Sequence, residues 1–378
     1  MTARERTSHP PEYYMRIALD LARRSPALPY PNPWVGCVIV RNGRIVGKGL
    51  HHGAGTHHAE VEALIDAGPK ARGAALYVTL EPCCHFGRTP PCTDAILKAG
   101  IREVFYAMND PNPRVAGKGA QLLRRHGLKV HRGYCAQEAA AINEMYIKFQ
   151  TTGLPFVTAK VATSLDGKIA TRTGRSQWIT DEEARRRARQ LRAEHQAVLV
   201  GINTVLSDNP HLGPREPGTG EPWRIVLDSR LRIPLNSQIV KSGKCIVACT
   251  AQASAAKKAR LEKAGVKVMS FKGSRVPLPP LLKQLAEAEI ISILVEGGGE
   301  VLGSFFDERL VDRVCWFLSP VILGSTKSRV AVAGNGAARL DQAFWLRDAT
   351  IEKAGNSWLI QARPFEAASR PSLPKRGL

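Results

Sequence analysis

A chain of 378 residues, 44% hydrophobic and 23% charged, is long enough for two ordinary domains and too apolar for a disordered protein. The formal net charge of +21 invites a nucleic-acid reading, but Lys and Arg are spread over both halves, which fits a basic proteome or general solubility better than a binding arm. Met1 to Pro10 lacks the apolar core of a signal peptide, no stretch reaches membrane-spanning length, and eight cysteines in a chain this long suggest a reduced cytoplasmic protein.

Pro11 to Arg24 reads as an amphipathic helix, with Tyr14, Ile17, Ala18 and Leu21 at helical spacing. Pro29 to Pro33 holds an extended loop. Val35 to Val40 and Ile45 to Gly49 are predicted strands joined by an Asn42-Gly43 hairpin turn. Val61 to Ala67 is a helix, Ala75 to Leu80 a strand, Thr93 to Ala99 a helix stopped by Gly100, and Glu103 to Met108 a strand. Cys83 is expected to open the turn or helix after Leu80, which would put its thiolate at a helix N-terminus. Ala136 to Phe149 closes the domain as one helix. Such alternation implies an α/β sandwich with helices on both faces.

Thr151 to Pro155 is the predicted linker, dividing a first domain, 1–150, from a second, 156–363. In the second, strands are expected from Phe156 through Ala162 and at Ala197–Val200, Arg224–Leu227, Cys245–Cys249, Val266–Ser270, Ile291–Val295 and Val314–Leu318. Helices are expected at Asp181–Glu194, Ala251–Ala264, Leu281–Glu289 and Val301–Arg309. The tail 364–378, rich in Pro, Ser and basic residues, reads as mobile.

The chemistry is concentrated in the first domain. His58 and Glu60 stand one residue apart, followed by Pro82-Cys83 and Cys92. Zinc takes nitrogen and thiolate donors in a tetrahedron, and a hydrolytic site uses three protein ligands and leaves the fourth position to water. His58, Cys83 and Cys92 are the candidate ligands, and Glu60 is the candidate catalytic residue beside them. A structural zinc knuckle is the bland alternative, but an open position next to a glutamate argues for catalysis. The order H-x-E…P-C…C is that of zinc deaminases of nucleobases, where activated water attacks a ring carbon bearing an amine while the glutamate carries protons. Cys84 and His57 each stand beside a chosen ligand and compete for the metal. Cys37, Cys135, Cys245, Cys249 and Cys315 read as core thiols.

The stretch Glu81-Pro82-Cys83-Cys84-His85-Phe86-Gly87-Arg88-Thr89-Pro90-Pro91-Cys92 has a longer spacer than that of tRNA and DNA deaminases. It closely resembles the bifunctional riboflavin-biosynthesis deaminase–reductase family. So do Pro31-Asn32-Pro33-Trp34-Val35-Gly36, Asp110-Pro111-Asn112-Pro113, Lys160-Val161-Ala162-Thr163-Ser164-Leu165-Asp166-Gly167, Ser176-Gln177-Trp178-Ile179-Thr180, Asp228-Ser229-Arg230-Leu231-Arg232-Ile233-Pro234 and Val295-Glu296-Gly297-Gly298-Gly299. The motifs follow one order over nearly the whole chain. Cys84 stands where that family usually has Ser, His57 where Pro is common, and Gly213 where Thr is usual.

The resemblance implies a cytidine-deaminase-like three-layer α/β/α domain followed by a dihydrofolate-reductase-like α/β domain. The first would use Zn2+ to deaminate 2,5-diamino-6-(5-phosphoribosylamino)pyrimidin-4(3H)-one. The second would use NADPH to reduce the product's ribosyl chain to ribityl. Asn32, His51 and Arg88 fall where the family grips the pyrimidine and its phosphate. Thr163, Trp178, Thr204, Asp208 and Ser229 would line the cofactor, with Gly298, Gly299, Glu300, Val301, Leu302 and Gly303 at its pyrophosphate. Lys160, Ser176, Arg192, Leu212, Arg215 and Glu296 would hold the substrate, with Arg192 and Arg215 suited to phosphate. Lys160 and Glu296 are both candidates to assist protonation at the sugar carbon, and the sequence does not decide between them. The partner implied is a free phosphorylated ribotide, with no nucleic acid or membrane, and the assembly a homo-oligomer. Two other readings compete: a tRNA-type deaminase with an unrelated C-terminal domain, and a non-enzymatic zinc-stabilised RNA-binding protein.

Overall fold

The computed structural model describes residues 9–25, 29–87, 89–215 and 220–365, and the chain divides into two units, Met1–Leu154 and Pro155–Leu378. The first unit runs α1 (Pro11–Arg23), β1 (Gly36–Arg41), β2 (Arg44–Leu50), α2 (Ala59–Ala67), β3 (Ala75–Leu80), α3 (Cys92–Lys98), β4 (Glu103–Met108), α4 (Lys118–Arg125), β5 (Lys129–Arg132), α5 (Ala136–Ile142) and α6 (Glu144–Thr152). Its sheet has the order β2-β1-β3-β4-β5, antiparallel on either side of β1 and parallel from β3 to β5. The β1–β2 turn follows from sequence: Asn42 (φ 52°) and Gly43 (φ 75°) both take the left-handed backbone that a tight two-residue hairpin requires.

Alternation along β1 builds a core on each face of this sheet. Val38 and Val40 pack with Tyr14, Met15 and Leu19 of α1, while Cys37 and Ile39 pack with Ala59, Ala63 and Ala67 of α2. The small residues of α2 let it lie almost on the backbone of β2. A Cβ added at Gly49 would overlap the Ala59 carbonyl oxygen, and one at Gly47 the Ala63 carbonyl oxygen. This contact sets the height of α2 above the sheet, and with it the position of His58 and Glu60 at its start.

Several elements differ from the sequence reading. The helix expected over Ala136–Phe149 is broken at Asn143, whose side chain accepts from the Trp34 N–H (2.8 Å) and donates to the Trp34 carbonyl (3.0 Å). The residues expected to form a linker are partly helical, since α6 runs to Thr152. Cys83 does not begin a helix; it stays in the loop after β3, and α3 begins at Cys92. The reason is the intervening Pro90-Pro91, which suits extended backbone and a helix start immediately after it. Neither α4 nor β5 is apparent from the sequence: α4 carries four basic or amide residues and a glycine, and β5 is a short, half-exposed edge strand.

The second unit runs β6 (Phe156–Ser164), α7 (Glu182–Ala193), β7 (Ala197–Gly201), α8 (Ile202–Asp208), β8 (Trp223–Leu227), α9 (Gln238–Lys241), β9 (Cys245–Thr250), α10 (Ala255–Lys263), β10 (Lys267–Phe271), α11 (Leu278–Glu287), β11 (Ser292–Val295), α12 (Gly299–Asp307), β12 (Arg313–Ser319), β13 (Leu346–Ala354) and β14 (Ser357–Pro364). The sheet order is β10-β9-β8-β7-β11-β6-β12-β14-β13, parallel from β10 to β12 and antiparallel thereafter. The completely buried β7, β9 and β11 are the continuous apolar runs of the sequence. The hairpin β13–β14 carries no sequence signal, because β13 is exposed along nearly all its length and shows no alternation. Pro364, assigned to the tail by sequence, is the last residue of β14 and pairs with Leu346. Of the expected tail, 366–378 lies outside the described residues. Among the described residues no helix is long and apolar enough to cross a membrane.

Gly49→Ala forces α2 away from β2 and costs about 1–3 kcal/mol, the usual range for overpacking. A urea midpoint for the first unit equal to that of the wild type would contradict this packing argument.

Candidate functional site

His58 is the residue before α2, Glu60 lies in the helix's first turn, Cys83 follows β3, and Cys92 opens α3. Three separate stretches of chain are thereby brought to one point. Ligand atoms of His58, Cys83 and Cys92 all lie within 4.8 Å of one another, the one such group of three among the described residues. His58 Nδ1 faces both sulfurs, 3.1 Å from Cys92 Sγ and 3.5 Å from Cys83 Sγ. The Cys92 backbone N–H donates to Cys83 Sγ (3.3 Å), so the Cys83 thiolate does meet a helix start, that of α3.

The electrostatics match metal ligation. The hydrogen bond from Cys92, helped by His58, holds the Cys83 thiol well below the usual thiol range, against the opposing effect of burial. The same shared proton, together with burial, raises Cys92. The His58 imidazole is raised by its hydrogen bond with Cys83. One nitrogen and two sulfurs form a donor set that fits zinc and provides three ligands. Glu60 is 4% exposed, and burial pushes its carboxyl up to about 7.

The two competitors turn elsewhere. His57 points its Nδ1 at the exposed Glu62 carboxylate (3.1 Å), and Cys84 is not part of the three-ligand group. Asn32 and His51 meet: the Asn32 amide lies 3.0 Å from His51 Nε2, and His51 Nδ1 donates to the His57 carbonyl at 3.1 Å. Burial lowers the His51 imidazole, which favours this neutral form. Arg88 lies outside the described residues.

Two supporting residues escaped the sequence reading. The Thr89 hydroxyl stands 3.2 Å from His58 Nε2, where it orients the ring through its far nitrogen. Buried Glu81 accepts from the Gly117 N–H (2.8 Å) and the Ala120 N–H (3.0 Å), fixing the start of α4. At Gly119 a Cβ would overlap the Pro82 carbonyl oxygen, so α4 backs the segment that carries Cys83. Glu81 opens the Glu81–Cys92 motif, yet nothing local reveals that its partners lie 36 and 39 residues on.

In the second unit, the candidate residues gather at the C-terminal ends of adjacent parallel strands, where open α/β sheets bind ligands. Lys160 and Thr163 are on β6, Thr204 and Asp208 on α8 directly after β7, Ser229 just after β8, and Glu296 just after β11. Glu296, Arg192 and Lys160 form one cluster. Arg192 Nε and Nη2 donate to the Glu296 carboxylate at 2.6 and 3.0 Å, and Lys160 Nζ at 3.4 Å. Burial by itself would raise the Glu296 carboxyl, but Arg192 and then Lys160 outweigh it and hold it at about 2. Arg192 Nη1 donates to the Gly213 carbonyl (3.3 Å), so this guanidinium is engaged within the protein on all three nitrogens. The Thr163 hydroxyl accepts from the Trp316 indole N–H at 2.8 Å. Trp178 is 68% exposed, with the Arg185 guanidinium 4.4 Å above its ring. Ser176 lies in the same loop, ahead of α7.

The glycines before and within α12 have separate causes. A Cβ at Gly299 would meet the Val330 carbonyl oxygen, and one at Gly303 would overlap that of Ala333, so the 330–334 segment requires both. Gly298 alone faces open space, as backbone approached by a phosphate would.

Comparison with known proteins finds a match in each unit. Residues 8–108 match the cytidine and deoxycytidylate deaminase zinc-binding region, and residues 155–360 match the RibD C-terminal domain. The riboflavin biosynthesis protein RibD of Aquifex aeolicus is 44% identical over 348 residues, covering 92% of this chain and 96% of that protein. The RibD of Escherichia coli is 42% identical over 328 residues, 83% of this chain and 89% of that one. Among solved structures, Acinetobacter baumannii RibD superposes with a TM-score of 0.87 at 36% identity, covering 94% of this chain and 99% of that chain. A diaminohydroxyphosphoribosylaminopyrimidine deaminase/5-amino-6-(5-phosphoribosylamino)uracil reductase from Thermotoga maritima gives 0.81 at 34% identity, with the same coverage. The match over 155–360 removes the reading of an unrelated C-terminal domain.

Elemental analysis of the purified protein is expected to find zinc that Cys83→Ser or Cys92→Ser abolishes, whereas Cys84→Ser and His57→Ala leave it bound. Zinc lost from the Cys84 variant and kept by the Cys83 variant would move the ligand by one residue.

Proposed function

The chain belongs to the RibD family, the bifunctional deaminases and reductases of riboflavin biosynthesis, and on that premise we propose that each unit carries one of two successive activities. The first unit deaminates 2,5-diamino-6-(5-phosphoribosylamino)pyrimidin-4(3H)-one, and the second reduces the ribosyl chain of the product to ribityl with NADPH. The observation that carries the deaminase assignment is the buried Glu60 beside a group of one imidazole and two thiols. His58, Cys83 and Cys92 hold zinc, which when bound supplies the Lewis acidity that makes water a nucleophile near neutral pH. Glu60 would carry one proton from the water to the ring nitrogen, then take the second, from the hydroxyl of the tetrahedral adduct as its carbonyl forms, and deliver it to the departing ammonia. Asn32, steadied by His51, reads the pyrimidine edge, and Arg88 grips the phosphate.

In the reductase, NADPH when bound supplies the hydride, and the chain's part is orientation and the proton. Thr163, Trp178, Thr204, Asp208, Ser229 and the Gly298–Gly303 segment line the cofactor; Ser176 and Leu212 border the substrate. Opening the sugar ring frees a ring oxygen that must be protonated. Glu296, held ionised by two cations, has no proton to give at neutral pH. Its role is to hold the Lys160 ammonium, which donates the proton. Arg215 is exposed and takes the substrate phosphate, whereas Arg192 serves Glu296 and the backbone. A free ribotide as substrate and a cytoplasmic homo-oligomer complete the proposal.

Glu60→Gln is expected to retain zinc while ammonia release falls by roughly 10²–10⁴, the usual contribution of a positioned acid–base group. Undiminished ammonia release from the zinc-loaded variant would sink the assignment. Lys160→Met is expected to lower the reductase kcat by a similar factor of about 10²–10⁴ without changing NADPH affinity or deamination. A kcat for NADPH oxidation near the wild-type value would return the proton to another group.

A further inference from the structure

Arg224 heads the fully buried side chains by volume, and neither half-reaction uses it. It occupies the second position of β8, 1% exposed, in a strand otherwise built from apolar residues. A guanidinium is retained in such a place only when its N–H groups find acceptors. Arg224 Nε donates to the His211 carbonyl (3.3 Å), Nη1 to the Pro222 carbonyl (2.9 Å) and Nη2 to the Glu221 carboxylate. Its bonds therefore join β8 to the far end of the preceding connection, at His211.

The backbone next to His211 is of a kind that needs holding. Leu212 (φ 59°) and Arg215 (φ 60°) both adopt the left-handed conformation that a Cβ disfavours. Gly213 donates to His211 Nδ1 at 3.1 Å, and a Cβ there would stand 2.6 Å from that ring, which accounts for glycine at this position. From the other side Arg192 Nη1 holds the Gly213 carbonyl. Two arginines thus grip the stretch from His211 to Gly213, while Arg215, two residues on, is exposed and has no ion-pair partner among the described residues.

We propose that Arg224 is a positioning residue of the reductase: by clamping His211 to β8 it fixes the loop that presents the Arg215 guanidinium to the phosphate of the substrate. This rests on the phosphate role given to Arg215 above. Arg192 is the second half of the clamp, but its substitution would also release Glu296, so Arg224 is the residue that isolates the effect.

The test compares steady-state reduction of 5-amino-6-(5-phosphoribosylamino)uracil with that of the same compound lacking its phosphate. The full-length enzymes are wild type, Arg224→Met and Arg215→Ala, with NADPH binding followed by fluorescence. Arg224→Met is expected to raise KM for the phosphorylated substrate by about ten- to a hundredfold, with little change in kcat, in KM for the dephosphorylated compound or in NADPH affinity. A purely structural role would change both substrates alike. If Arg224→Met does not fold, Arg224→Lys, which keeps the charge but loses the three-way fork, takes its place with the same expectation. A wild-type KM ratio in the Arg224 variant, with the ratio abolished by Arg215→Ala, overturns the proposal and leaves the phosphate role of Arg215 standing. A ratio unchanged in both variants removes the two together.

Discussion

The close approach of α2 to the glycine-bearing strand β2 is the contact on which the deaminase centre depends. It puts the start of α2 at a fixed height, so that His58 Nδ1 arrives beside two sulfurs from the other side of the sheet order. Bringing two thiols and an imidazole together without a cation would be costly if both thiols ionised. The two thiols hold each other apart in their tendency to ionise, Cys83 lowered and Cys92 raised by the hydrogen bond between them. A divalent cation would favour the ionised form of both. Glu60 is buried beside this group, and burial raises its carboxyl to about 7.

The reductase unit handles buried charge in the opposite way. Glu296 is buried deeply enough to favour its neutral form, yet two cations overcome that preference and keep it ionised. The same carboxylate that fixes Lys160 also fixes Arg192, and Arg192 in turn holds the Gly213 carbonyl. The charged cluster at the strand ends and the loop at Gly213 are therefore joined through one guanidinium. Buried ion pairs contribute little to stability compared with apolar packing. Their presence here is better understood as a means of fixing geometry where a left-handed backbone would otherwise relax.

The legible parts of the fold were those with strong local signals. Continuous apolar runs marked β7, β9 and β11, and the Asn42-Gly43 turn marked the hairpin β1–β2. The illegible parts were stabilised from a distance. Asn143 breaks a helix because its amide serves Trp34, more than a hundred residues earlier in the chain. The strand β13 is held by pairing with β14 and offers no apolar face. Short α8 and α9 carry no long periodicity from which to be read.

For the site, residue types and spacing in the sequence singled out the candidate ligands and the candidate proton carrier, because H-x-E and P-C…C state chemistry directly. Family motifs likewise supplied the candidate reductase residues. Only the tertiary structure shows which partners these groups meet. His57 faces Glu62, and the Arg192 guanidinium is paired with Glu296. Gly299 and Gly303 are small because the 330–334 segment crosses them. The physical reason is the same in each case: a sequence specifies which groups are available, whereas their partners, burial and orientation arise from contacts between residues far apart in the chain.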